Sequence, residues 1–132
     1  MAADRSQRSL PPAKFPAEAA SITIARHRLD DFLHEVPENV RTTAALLVSE
    51  LTSNAVRHAR THFSLCADVT AFGLRVEVAD GTREPPVLKS PESWERGGRG
   101  LMLVSELADS WGTDPIPDGK LVWFELSLIH PE

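Results

Sequence analysis

Only one cysteine, Cys66, occurs in a chain of 132 residues, so no disulfide can close within it and a small bridge-stapled secreted scaffold is excluded. Long apolar runs are missing too: no stretch approaches the ~20 consecutive apolar residues a membrane-spanning helix requires, so no membrane role is expected. Cationic residues are scarce. Fourteen Lys and Arg stand against 19 Asp and Glu, for a formal net charge of −5. Affinity for nucleic acid comes largely from clustered Lys and Arg, so direct nucleic-acid binding is not expected. No Gly-Lys-Ser or Gly-Lys-Thr occurs, which excludes a P-loop NTPase. The N-terminal stretch up to Pro12 carries charge but no apolar core of a secretory signal, so cytoplasm is the simplest expected location. No internal repeat or coiled-coil heptad is evident.

What is present has ordinary globular proportions, 42% hydrophobic and 25% charged, and the length suits one core. The expected organisation is a flexible tail over 1–13 and a single domain over 14–130. After a short strand around Lys14 and Phe15, the segment Ala17 to His34 places Ala20, Ile24, Leu29, Phe32 and Leu33 at helical spacing, and Pro37 interrupts it. Glu38 to Ala59 follows with Val40, Ala44, Leu47, Val48, Leu51 and Ala55 on one stripe, which predicts a second helix. His62 to Phe72 and Leu74 to Ala79 alternate about Gly73, the pattern of a hairpin. Asp80 to Gly98 is a long loop rich in Pro and Gly, and such loops are usually functional or mobile. Gly100 to Asp109 returns to helical spacing. A strand near Trp111 to Thr113, the Pro117-Asp118-Gly119 turn and a strand over Lys120 to Leu128 close the chain. This order predicts an α+β two-layer sandwich, with helices on one face of a mixed, largely antiparallel sheet.

Three places carry chemistry. Glu50 and Asn54, one i,i+4 step apart, lie about 40 degrees apart around a helix and point the same way. Arg57, seven positions beyond Glu50, lands about 20 degrees from it on the other side and adds a cation to this stripe. A carboxylate, an amide and a guanidinium suit a magnesium-phosphate group, although the same pattern also describes solvated residues opposite a core face. Asp80 emerges at the end of an apolar alternation. It reads either as an acceptor for an exocyclic amine of adenine or as half of an Asp-Gly turn without a ligand. Gly97-Gly98-Arg99-Gly100 directly precedes a helix, which lets backbone N–H groups approach an anion at the positive helix end, as a simple hinge would also allow.

In order, Leu47-Val48-Ser49-Glu50-Leu51-Thr52-Ser53-Asn54-Ala55-Val56-Arg57-His58-Ala59, Val76-Glu77-Val78-Ala79-Asp80-Gly81 and Gly97-Gly98-Arg99-Gly100-Leu101 resemble the three ATP-site boxes of the GHKL ATPases, and most of all those of bacterial anti-sigma-factor serine/threonine kinases. The likeness extends to Gly119-Lys120-Leu121-Val122-Trp123-Phe124-Glu125-Leu126. It implies a Bergerat ATP-binding fold, with ATP and Mg2+ as cofactors. By the resemblance, Glu50 is the general base, Asn54 coordinates magnesium, and Asp80 binds the adenine amine. Gly98, Arg99, Gly100 and Leu101 belong to the phosphate-binding segment, Gly98 and Gly100 border the hinge of a lid, and Arg96 and Arg57 contact phosphate. The implied partners are a sigma factor and an anti-anti-sigma-type antagonist, and dimers are common in this family. The second box departs from the pattern Asp-x-Gly, reading Asp80-Gly81-Thr82. The alternative function is a non-catalytic interaction module gated by ATP. His58 reads as a helix-end residue. Trp94, Trp111 and Trp123 read as packing or partner contacts, and Cys66 as a strand residue.

Overall fold

A computed structural model of the chain describes residues 7–82 and 98–128. The strands are β1 (Arg8–Phe15), β2 (Phe63–Val69), β3 (Gly73–Asp80), β4 (Ser110–Ile116) and β5 (Gly119–Ser127). The α-helices are α1 (Ala19–Phe32), α2 (Glu38–Asn54) and α3 (Gly98–Leu107), and a π-helical turn, Ala55–Ala59, continues α2. The strands form one sheet in the order β1-β2-β3-β5-β4, and all four pairings are antiparallel. The expected α+β sandwich, helices on one face of a largely antiparallel sheet, is what the structure shows, and among the described residues every pairing is antiparallel. The β4–β5 hairpin folds β5 between β3 and β4, so β1, β3 and β4, which run one way, alternate with β2 and β5, which run the other.

Alternation sorts the sheet into two faces. Phe63, Leu65, Ala67, Val69, Leu74, Val76, Val78, Val122, Phe124 and Leu126 are buried on the inner face. Against it lie the buried stripes of the helices. On α2 these are Val40, Ala44, Leu47, Val48 and Leu51, the residues that sequence spacing marked, joined by Thr52. Thr52 tolerates complete burial because its hydroxyl donates to the Val48 carbonyl at 2.8 Å.

On α1 the stripe differs from expectation. Ser21, Ala25 and Leu29 are buried and Leu33 extends the row, whereas Ala20 and Ile24 face outward. Steps of four hold 21, 25, 29 and 33 on one side, and small side chains at two of them permit close packing on α2. Hydrophobicity alone favoured Ile24, but contact selected its smaller neighbour.

Of the expected flexible tail over 1–13, residues 8–13 belong instead to β1, which begins at Arg8. Leu10 and Ala13 pack on the core, Arg8 Nη1 donates to the Phe32 carbonyl at 2.9 Å, and Ser9 Oγ donates to Asp68 at 2.6 Å. Pro11 and Pro12 sit at the register shift between Leu10 and Ala13, on an edge strand where a missing N–H costs little.

Candidate functional site

Glu50 and Asn54 occupy the last turn of α2, both half-buried, with regular α-helical backbone joining them. Their shared direction therefore holds. Directly after Asn54 the helix widens: the Arg60 N–H donates to the Ala55 carbonyl at 2.9 Å, an i to i+5 bond. Arg60 closes the turn in the left-handed region at φ 57 and ψ 31. Single π-turns of this kind recur at functional positions. The added residue in the turn rotates everything beyond Asn54, so the 20 degree relation expected between Arg57 and Glu50 does not apply. Arg57 and His58 are both exposed.

Asp80 ends β3 on the inner face, two residues beyond Val78. In register it stands between Phe63 of β2 and Lys120 of β5. Its Oδ2 accepts from Lys120 Nζ at 2.8 Å, and its Oδ1 accepts from the Thr82 backbone N–H at 3.0 Å. Both side chains of the ion pair are largely covered, Lys120 12% and Asp80 8% exposed. The Gly81 N–H is taken by the Thr61 hydroxyl at 2.8 Å. The altered second box thus forms a hydrogen-bonded turn, in which the Thr82 backbone N–H holds Asp80.

Lys120 was not singled out from the sequence. The signal was available: counting back by two from Leu126, Phe124 and Val122 puts Lys120 on the inner face, and a charge placed there needs a partner. Gly119 fixes the same point. A Cβ there would fall on the Asp80 carbonyl oxygen, so only glycine lets the start of β5 lie this close to the end of β3.

The glycine segment leads into α3, which starts at Gly98 and buries Leu101 and Val104. Leu101 is a core anchor that secures the first turn of the helix. The α2 helix packs against α3, β3 and β5, so the elements that carry the glycine segment, Asp80 and Lys120 all neighbour the helix that carries Glu50 and Asn54. Arg96, the lid region and Trp94 lie outside the described residues, as does the side chain of Arg99. Among the described residues no group of three or more His, Cys, Asp or Glu is placed to hold a metal ion. Cavities of about 430 and 410 Å³ lie elsewhere, one at the Phe72 end of the sheet and one between α1 and α2. No described helix is long and apolar enough to cross a membrane.

The outer face of the sheet holds a separate polar cluster. Arg75 lies over the Trp123 ring at 4.2 Å and donates to Glu77 at 2.9 Å and Glu125 at 3.1 Å. Cys66 sits beside it on β2, its thiol donating to Glu77 at 3.5 Å. Burial, then the Glu77 charge, pushes that thiol up to about 11, so it is held as an un-ionised strand residue rather than a nucleophile.

Against known structures, the chain is similar to the crystal structure of the RsbU and RsbW domains of Rv1364c from Mycobacterium tuberculosis, with a TM-score of 0.62 and 17% sequence identity. That match covers 88% of this chain but 32% of the other, so the chain spans about a third of that protein's length, and the likeness is one of fold. No match was found among curated proteins. The sequence pattern of the histidine kinase-like ATPase domain matches residues 15–126, a span that contains every element from the end of β1 to β5. With the three boxes set on neighbouring elements of a helix-on-sheet sandwich, the chain belongs to the histidine kinase-like ATPase domain family and is by that membership a nucleotide-binding domain.

Proposed function

We propose that this domain binds ATP with Mg2+ and acts as an anti-sigma-factor-type protein serine/threonine kinase, phosphorylating an antagonist protein. The observation that carries the reading is the placement of Glu50 and Asn54 on one face of the last α-helical turn of α2, beside α3. The donor set suits the ligand. Magnesium in phosphotransfer sites takes one or two protein oxygens and completes its shell from phosphate and water, which fits an amide oxygen at Asn54 without a cluster of carboxylates.

In this reading Asn54 holds the metal, Asp80 accepts the adenine amine, and the backbone N–H groups of Gly98, Arg99, Gly100 and Leu101 face the phosphates. Arg96 and Arg57 add phosphate contacts. Glu50 accepts the proton of a seryl or threonyl hydroxyl as its oxygen bonds to the γ-phosphorus and the bond from that phosphorus to the ADP oxygen breaks. Magnesium offsets charge on the phosphates. The partners are a sigma factor and an anti-anti-sigma-type antagonist, in the cytoplasm, with no direct nucleic-acid contact. A homodimer is compatible with the family.

The test is transfer of label from γ-labelled ATP to antagonist domains encoded near this protein's gene. Glu50→Ala should abolish transfer and largely spare ATP binding, whereas Asn54→Ala should weaken both. ATP binding without transfer to any antagonist would overturn the kinase reading. A second reading, a non-catalytic module in which ATP orders a partner surface, is motivated by the altered second box, Asp80-Gly81-Thr82. It gains if Glu50→Ala binds its partner and behaves in cells as the native protein does.

A further inference from the structure

Resting on the reading that Asp80 faces the purine base, we infer that Lys120 is a base-selectivity residue, and that with Asp80 it makes the site accept 6-oxopurine nucleotides, those of guanine and hypoxanthine, as well as ATP. A carboxylate only accepts hydrogen bonds. Alone at position 6 of a purine it would take the amine of adenine and repel the carbonyl of guanine or hypoxanthine. Here it is not alone. Lys120 Nζ stands 2.8 Å from Asp80 Oδ2, so a donor and an acceptor lie side by side.

Strand pairing builds this arrangement. Asp80 and Lys120 are register partners on β3 and β5, both on the inner face, both largely covered, and the contact forced by Gly119 pins the two strands together next to them. Each group keeps capacity for a ligand. An ammonium has three N–H donors, of which Asp80 takes one. A carboxylate offers about four lone-pair positions, of which Lys120 and the Thr82 N–H take two.

Adenine meets the pair with its amine toward Asp80. Guanine meets it with O6 toward Lys120, a pairing lysine makes readily, and with its N1–H toward Asp80. Hypoxanthine presents the same two groups. A covered site discriminates most where a mismatch strands a polar group unpaired, and this pair strands neither kind of purine.

The experiment is calorimetric binding of ATP, GTP and ITP with magnesium to the full chain, its Lys120→Met and Lys120→Arg variants. The native chain should bind all three within about tenfold of one another, Lys120→Met should favour ATP over GTP and ITP by about tenfold more, and Lys120→Arg should restore the native ratio. Native binding of ATP with GTP and ITP about a hundredfold weaker would overturn the inference and leave the ATP reading standing. So would an unchanged ratio in Lys120→Met, which would make the ion pair a strand clip only. Binding of no purine nucleotide by the native chain would overturn the ATP reading and this inference with it. If Lys120→Met does not fold, the native ratio and Lys120→Arg decide the matter.

Discussion

Lys120 and Asp80, facing each other across β5 and β3, form an ion pair of 2.8 Å on the face of the sheet that the helices cover. What sets this distance is Gly119, the neighbour with no side chain. Replacing it by alanine would drive a Cβ onto the Asp80 carbonyl oxygen, and backbone, unlike the end of a flexible side chain, cannot swing away. Gly119→Ala is expected to destabilise the protein by about 2–3 kcal/mol, the upper part of the range for overpacking. Urea unfolding gives the loss, and faster amide exchange at residues 80–82 would report that the strand ends have separated. A variant as stable as the native chain would show that the strands part without strain.

Arg60 is the one described non-glycine residue with positive φ. The left-handed conformation costs a side chain about 1–2 kcal/mol, while glycine forfeits about 0.5–1 kcal/mol of backbone entropy. Arg60→Gly should therefore stabilise the chain by roughly 0.5–1 kcal/mol, and the β-branched Arg60→Val should destabilise it. Thermal unfolding of the two variants in parallel checks the sign, and a less stable Arg60→Gly would mean that the arginine side chain holds the π-turn.

For Cys66, burial, the Glu77 charge and hydrogen bond, and the Asp68 charge raise the thiol to about 11, with Arg75 opposing. At pH 8 iodoacetamide should label the native protein about 100-fold more slowly than an ordinary free thiol, because the thiolate fraction falls tenfold per unit. Glu77→Gln should speed labelling. The sign for stability follows from the same shift: the unfolded thiol ionises first, so its contribution is complete below about 9 and is lost as pH rises toward about 11. Labelling of the native protein at the rate of a free thiol would contradict the burial.

Glu125 titrates in the other direction. The Ser110 hydroxyl first, then the Arg75 guanidinium, holds its carboxyl below the usual glutamate range. A depressed folded value contributes stability above the unfolded value of about 4.3 and loses it as pH falls through the folded one. With 44% of the side chain exposed, solvent screening keeps the effect small. Urea midpoints of the native chain and Glu125→Gln should differ most at pH 5 and converge toward pH 3. A gap that widens on acidification would contradict the assignment.

Much of the fold was legible before any coordinates. The α2 stripe was read correctly because its apolar residues are large and regularly spaced, and the β2–β3 hairpin because alternation about Gly73 is unambiguous. The α1 stripe was misread at Ala20 and Ile24, since spacing counts hydrophobicity while packing rewards the small residues that let helices approach. Of the strand Arg8–Phe15 only the end around Lys14 and Phe15 was read; its start was hidden by Pro11 and Pro12, which punctuate a sequence but are tolerated at a shift on a sheet edge.

Local chemistry, carried by the order of residues, determined by itself the three boxes, the helix that presents Glu50 and Asn54 together, and the family. Tertiary structure decided what depends on groups far apart in the chain. Lys120 reached Asp80 only because β5 folded into the sheet beside β3, forty residues after it, and no periodicity encodes a strand order. The departure at Asp80-Gly81-Thr82 became a hydrogen-bonded turn only once Thr61 and Lys120 were in place, because a carboxylate's role is set by the donors that surround it.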